Sequence, residues 1–197
     1  MVHPHSELRY IGDNVGYGVV ATRLIPRGTI TWVADELDQV ISPDSAECLP
    51  PLLKPLLEKY AWVNGKGQLI LCWDHARFIN HSCEANCLSI GFDFEIAVRD
   101  IHPGEQLTDE YGTLNLSEPL RCHCGSARCR GVVHPDDILR YAEVWDSLAR
   151  AAFMQLKTVE QPLWPLLVEE REVEEALAGK SPLPSCLRHY VRRHPLS

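Results

Sequence analysis

Arg77-Phe78-Ile79-Asn80-His81-Ser82-Cys83-Glu84-Ala85-Asn86-Cys87 is the stretch whose reading decides the fold. Two apolar residues lead into an imidazole, a hydroxyl, two amides and two thiols. A core strand would not carry that load, because each buried polar group needs a partner. A surface loop would rarely carry Phe78 and Ile79 beside it. The expected setting is a buried loop whose polar groups face a ligand or a metal.

Downstream, His102-Pro103-Gly104-Glu105 reads as a turn, followed by Gln106-Leu107-Thr108-Asp109-Glu110-Tyr111-Gly112. Residues 122–131 read Cys-His-Cys-Gly-Ser-Ala-Arg-Cys-Arg-Gly. Their Cys-x-Cys-x4-Cys spacing with Gly125 is the pattern of a thiolate metal knuckle. Upstream, Gly16-Tyr17-Gly18 sits between turn residues and a β-branched run, so it predicts a turn feeding a strand. A Gly-x-Gly lets backbone approach a ligand, and a plain hairpin turn would look the same. It is not the dinucleotide motif, since no third glycine opens a helix.

Pro26-Arg27-Gly28-Thr29 predicts a second turn before a strand at Ile30–Val33. Asn64-Gly65-Lys66-Gly67 predicts a hairpin turn, with a strand over Gln68–Trp73. Gly91 to Val98 alternates with period two, as a half-buried strand does. Residues 1–9 read as a loose polar lead-in. Residues 42–60 turn helical, with Pro50 and Pro51 suited to a helix start and Pro55 expected to interrupt or kink it. In the tail, Ile138, Tyr141, Ala142, Trp145, Leu148, Ala149, Ala152, Phe153 and Leu156 recur every three or four positions, an amphipathic helix capped by Asp136 or Asp137. A second helix is expected over Leu166–Ala178, a turn at Pro182 and Pro184, and a basic solvated end at Arg188, Arg192 and Arg193.

The 197 residues suffice for one sizeable core. Composition is that of a soluble globular protein, 45% hydrophobic and 23% charged, with a formal net charge of -8. That acidity argues against binding a nucleic-acid backbone. It suits a Lys/Arg-rich partner, although solubility alone also accounts for it. No secretory leader is visible at the start, and no apolar run approaches the roughly 20 residues of a membrane span. The expectation is a soluble intracellular protein. Its eight cysteines then favour metal ligation or buried thiols over disulfides, and Cys48, Cys72 and Cys186, lacking spacing partners, read as buried thiols.

Arg77–Cys87 resembles the "RFINHSC-x-x-N" signature of the SET-domain protein-lysine methyltransferases. Gly104–Tyr111 is similar to that family's "Gly-Glu-Glu-Leu-Thr-x-x-Tyr", with Gln106 for one Glu and Asp109 where an aromatic often stands. Residues 122–131 match its post-SET zinc segment, trailing Cys-Arg-Gly included. The family's "Tyr-x-Gly-Glu" after the second turn is missing, with Trp32 and Asp35-Glu36 nearby instead. The resemblance covers about residues 8–131. It implies a mostly β SET fold with a threaded loop at 8–112, a short variable insert at about 42–64, a post-SET zinc segment at 118–131 and a helical C-terminal tail at 135–197.

The activity so implied is transfer of a methyl group from S-adenosylmethionine to a protein lysine, with a histone-like basic tail as first substrate. The attacking amine must be neutral, and with a free pKa of about 10.4 its deprotonation at pH 7 costs roughly 4–5 kcal/mol. A narrow apolar channel lowers that cost and holds amine and methyl in line. The resemblance puts Tyr111 at the reacting centre. It puts Gly16, Tyr17, Gly18, Arg77, Asn80, His81 and His123 around S-adenosylmethionine. It makes Cys83 the fourth zinc ligand beside Cys122, Cys124 and Cys129, whereas spacing alone leaves Cys87 and His123 in competition. An Asp at 109 would stabilise a lysine ammonium at the channel wall, or would simply face solvent.

Two rivals remain. A non-catalytic zinc-stabilised module would hold basic peptides without turning them over. A cysteine nucleophile, Cys83 or Cys87 with His81, would need a thiolate free of metal. The sequence implies no nucleic acid, no membrane and no particular oligomeric state.

Overall fold

A computed structural model describes residues 1–191. The chain is built from small sheets with few helices. Strands β1 (Ser6–Gly12) and β2 (Gly16–Ala21) form an antiparallel hairpin closed by Asp13 to Val15. The loose lead-in expected over residues 1–9 is therefore corrected. β1 is largely solvent-exposed, so it carries no apolar alternation to read.

β3 (Ile30–Val33) follows, then β4 (Gln39–Ile41), α1 (Pro43–Glu47), α2 (Lys54–Tyr60), β5 (Trp62–Val63) and β6 (Leu69–Leu71). Pro55 does not kink a helix. It occupies the first turn of α2, where its missing N–H costs nothing. The Asn64–Gly67 turn joins β5 to β6, which pairs with β4 on its other edge.

The signature stretch supplies a 3-10 turn at His75–Phe78, β7 (Asn80–His81) and the start of β8 (Cys87–Ser89). β9 (Phe94–Ala97) lies between β3 and β8. All four of its residues are buried, not alternate ones as expected. A central strand has neighbours on both edges, and here both faces are covered: Phe94 and Ile96 pack in one apolar core, Ala97 in another.

β10 (Thr108–Asp109) pairs in parallel with β7, setting Thr108 opposite Asn80 and Asp109 opposite His81. This two-residue ladder joins the two motifs and positions the site. β11 (Leu120–Arg121) and β12 (Val132–Val133) then bracket the cysteine-rich segment.

The tail is held by its apolar stripe. In α3 (Asp137–Phe153), Ile138, Ala142, Trp145, Ala149 and Ala152 recur at steps of four and three and are buried against β8 and β9. The small alanines let the helix approach, and Phe153 stacks at 6.5 Å on Phe92. Asp136 occupies the N-cap position without a side-chain cap bond, and Asp137 instead accepts from the His134 N–H at 3.0 Å. The second helix, α4 (Glu170–Leu177), is shorter than expected, a 3-10 turn at Trp164–Leu166 taking its first part. Arg188 of the basic end is ion-paired with Glu169 at 2.8 Å, while Arg192 and Arg193 lie outside the described residues. No helix among the described residues is long and apolar enough to cross a membrane.

Candidate active site and metal centre

Four thiols meet where the signature loop touches the knuckle. The sulfurs of Cys83, Cys122, Cys124 and Cys129 all lie within 4.8 Å of one another. Cys122 Sγ is 3.7 Å from Cys83 Sγ and 3.6 Å from Cys129 Sγ. Tetrahedral zinc with bonds of about 2.3 Å requires sulfurs roughly 3.8 Å apart. Donor type, number and spacing therefore all fit zinc. The fit extends to the backbone: the N–H groups of Cys124, Arg130 and Gly131 point at Cys122, Cys83 and Cys129 at 3.5, 3.3 and 3.4 Å. Such N–H donors stabilise thiolate charge.

The competing ligands are not in the cluster. Cys87 is fully buried and donates to Asn86 Oδ1, and the His123 ring is exposed. Nor is Cys83 a lone thiol beside His81, as a cysteine nucleophile would be. Cys72 and Cys186 are buried as expected, but Cys48 is exposed on the short α1 surface segment and is corrected accordingly.

His81 connects the cluster to the second motif. Its Nδ1 lies 3.2 Å from the Tyr111 amide nitrogen and 3.2 Å from the Asp109 carbonyl oxygen, and its Nε2 faces Cys83 Sγ at 3.4 Å. Burial, aided by the Arg130 charge, pulls its pKa down to about 4, so the ring is neutral at pH 7. Tyr111 donates its hydroxyl to the Ile79 carbonyl at 2.7 Å. Burial first, then the nearby Asp109 and Glu95 carboxyls, push the phenol above its ordinary pKa, so it stays protonated.

Arg130, which the sequence analysis did not single out, locks this arrangement. Its guanidinium reaches Glu110 at 2.6 Å and Asp137 at 3.5 Å, and it lies over the Tyr141 and Trp145 rings at 5.1 and 5.7 Å. Glu110 also accepts from the Gly112 N–H at 2.9 Å. One side chain of the knuckle thus ties together the Tyr111 turn and α3. The trailing Cys-Arg-Gly was the available signal.

Tyr111 lines a cavity of about 510 Å³ whose walls include Trp32, Tyr60, Trp62, Phe92 and Phe94. Arg77 also lines it, exposed and lying over the Phe78 ring at 5.4 Å. The tail contributes His189 to this wall, not the α3 residues Tyr141 and Trp145. The other candidate cofactor residues do not line it. Asn80 donates to the Tyr17 carbonyl and to Gln106, both at 3.0 Å. A β-carbon on Gly18 would fall 2.4 Å from Gln106 Oε1 and 2.7 Å from Asn80 Nδ2, so this glycine is required by internal packing. At Gly16 (φ +80°) nothing lies within 4 Å of the β-carbon position, which leaves backbone open to a ligand.

Residues 16–112 match the family model described as the SET domain. Among curated proteins, the chain is 44% identical over 66 residues to Histone-lysine N-methyltransferase ATX2 of Arabidopsis thaliana, covering 30% of this chain and 6% of that protein. It is 47% identical over 62 residues to Histone-lysine N-methyltransferase trithorax of Drosophila virilis, covering 28% and 2%. To Histone-lysine N-methyltransferase, H3 lysine-4 specific, of Schizosaccharomyces pombe it is 39% identical over 66 residues, covering 30% and 7%. The match thus spans under a tenth of the length of each of these relatives. Among solved structures, the methyltransferase domain of human Histone-lysine N-methyltransferase SETMAR aligns with a TM-score of 0.47 at 20% identity, covering 67% of this chain and 58% of that one.

Proposed function

We propose that this chain, which carries a SET domain at residues 16–112, is a protein-lysine N-methyltransferase that uses S-adenosylmethionine and acts inside the cell on a basic, histone-like protein segment. The observation that carries the reading is the placement of Tyr111. It lines an aromatic-walled cavity, bonds to the carbonyl next to Asn80, and shares a hydrogen bond with His81. The relatives named as histone-lysine methyltransferases support the substrate class, and the net charge of -8 suits a basic partner.

S-adenosylmethionine supplies an electrophilic methyl group. The residues that would hold it are Gly16 and Tyr17, with open backbone at Gly16, together with Asn80, His81, Arg77 and the exposed ring of His123. Gly18 serves this group indirectly, by letting Asn80 and Gln106 close on β2. The aromatic cavity receives the lysine stem and excludes water, which favours the neutral amine. Tyr111 orients that amine and keeps its own proton. The four thiolates hold zinc as a structural staple.

Tyr111→Phe removes one hydroxyl and little volume. Turnover is expected to fall at least tenfold, about 1.4 kcal/mol in barrier, with cofactor affinity unchanged by calorimetry. Full turnover in this variant would remove Tyr111 from the chemistry. The non-catalytic alternative, a zinc-stabilised module that only holds basic peptides, predicts peptide binding with no turnover in either protein.

A further inference from the structure

A lysine ammonium must lose a proton before its nitrogen can attack, and Tyr111 keeps its own. Some other group in the cavity has to receive that proton. His189 lines the cavity from the tail, at the end of the Cys186–His189 3-10 turn, which packs against the Tyr111–Thr113 turn. Its Nε2 lies 3.1 Å from the Phe92 carbonyl oxygen. A carbonyl can only accept, so Nε2 carries the ring proton and Nδ1 carries a lone pair. Among the described residues Nδ1 has no hydrogen-bond partner.

The backbone around this ring is fixed from several sides. Asn115, buried and left-handed at φ 54°, lies four positions past Tyr111. Its Nδ2 donates to the Val63 carbonyl at 2.9 Å and to the His189 carbonyl at 2.8 Å, and its Oδ1 accepts the Val191 N–H at 2.9 Å. A β-carbon on Gly65 would fall 2.9 Å from the Arg188 carbonyl oxygen, and one on Gly91 2.4 Å from that of Ser185. Both glycines therefore let the tail come close. The segment that carries Tyr111 thus also sets the position of His189.

The other lining groups are otherwise engaged. The Asp109 Oδ1 accepts the Glu110 N–H at 2.5 Å, and Asp109 and Glu95 bond to each other. Burial pushes the Cys72 thiol up to about 12, so it keeps its proton at neutral pH. Glu58 and Asp93 are exposed, where water competes for any proton. His189 is uncharged at rest, because burial lowers its pKa and the Arg188 charge adds to this, against the Asp93 and Glu169 carboxylates and the Phe92 carbonyl.

We propose that His189 is a further catalytic residue, whose Nδ1 accepts the proton that the substrate ammonium sheds inside the cavity. This rests on the cavity being the lysine site. An ammonium N–H bond breaks as the Nδ1–H bond forms, leaving a neutral amine and an imidazolium. The amine lone pair then forms the N–CH3 bond as the S–CH3 bond of the donor breaks, and the positive charge passes from sulfur to nitrogen. The imidazolium returns its proton to water when the product leaves. Burial lowers the pKa of the amine as well as that of the ring, so the transfer is less uphill than the free values imply.

The test uses the zinc-loaded full chain labelled with ¹⁵N at histidine, with n-butylammonium as probe and histone H3 amino-terminal peptide as substrate. His189→Gln identifies the His189 resonances, and its side-chain amide can still donate to the Phe92 carbonyl. The spectra are expected to show a protonated Nε2 and a bare Nδ1, with n-butylammonium moving the Nδ1 resonance and leaving Nε2 in place. At pH 7, kcat is expected to fall at least tenfold in His189→Gln and in His189→Ala alike, with KM and cofactor affinity changed by less than about twofold. Free imidazole should restore kcat in His189→Ala, and raising the pH should narrow the gap to wild type. A residue that served the fold alone would be satisfied by glutamine and would show no such rescue. Near-ultraviolet circular dichroism reports folding, and if His189→Ala does not fold, His189→Gln and the wild-type spectra decide. A protonated Nδ1, an Nδ1 resonance indifferent to the amine, or full kcat in His189→Gln overturns the proposal, and methyl transfer by the wild type would leave the enzyme standing. An Nδ1 shift in a chain that methylates nothing would overturn the methyltransferase reading and leave His189 as an amine-binding residue.

Discussion

Exchange of Cys83 for serine is expected to remove zinc and methyl transfer together. Cys83 is the one sulfur of the cluster that comes from the signature loop, 39 residues ahead of Cys122. Structural zinc contributes on the order of 10–16 kcal/mol of apparent binding energy in small peptides. Even a fraction of that dominates the positioning of a short loop. Without it the Cys83–His81–Tyr111 relay loses its anchor, and His123 is no longer fixed between two ligands. Zinc content is expected to drop from one ion per chain to near none, with cofactor affinity and turnover falling together by a factor on the order of 100. Far-ultraviolet circular dichroism should change little, because the apolar cores lie outside the knuckle. Chelation should reproduce this behaviour, and Cys48→Ser, at an exposed thiol, should not. Retention of one zinc and normal cofactor affinity in Cys83→Ser would place the fourth ligand elsewhere.

Arg130→Ala is expected to cost about 3–5 kcal/mol of stability, the range for breaking a buried pair and leaving one charge uncompensated. Glu110 is 1% exposed and the Arg130 side chain 15%, so solvent cannot replace the lost partner. The guanidinium also covers Tyr141 and Trp145, which adds lost packing. Arg130→Lys should recover little, since an ammonium cannot reach Glu110 and Asp137 while stacking on two rings. Adding Glu110→Gln to Arg130→Ala should recover part of the loss by removing the stranded charge. Urea denaturation of the zinc-loaded proteins measures each step. A loss below about 1 kcal/mol, the value of an exposed pair, would mean that this contact does not hold the knuckle to α3.

The parts of this site that sequence made legible are those with fixed spacing. Cys122, Cys124 and Cys129 were legible because Cys-x-Cys-x4-Cys with Gly125 is the spacing of a thiolate knuckle. Tyr111 and Asn80-His81 lie in motifs whose order matched a known family. The parallel β7–β10 ladder, in contrast, joins residues 28 apart through two paired positions, and no local pattern announces it. Glu95 was hidden for a different reason. The alternation over Gly91 to Val98 reads as a half-buried strand, yet both faces of β9 are covered, one by each apolar core. β1 was hidden by its exposure, since a strand without a buried face has no period to detect. Pro55 was misread because a proline near a helix start and one within a helix look alike until the start is fixed.

The most direct test of the account is mass spectrometry of histone H3 amino-terminal peptide and of whole core histones after incubation with the zinc-loaded chain and S-adenosylmethionine. The account predicts a lysine heavier by one methylene on at least one of these substrates, dependent on cofactor and at least tenfold slower with Tyr111→Phe. No methylated lysine on either substrate, from protein that holds its zinc and binds the peptide, would contradict it and leave a binding module in its place.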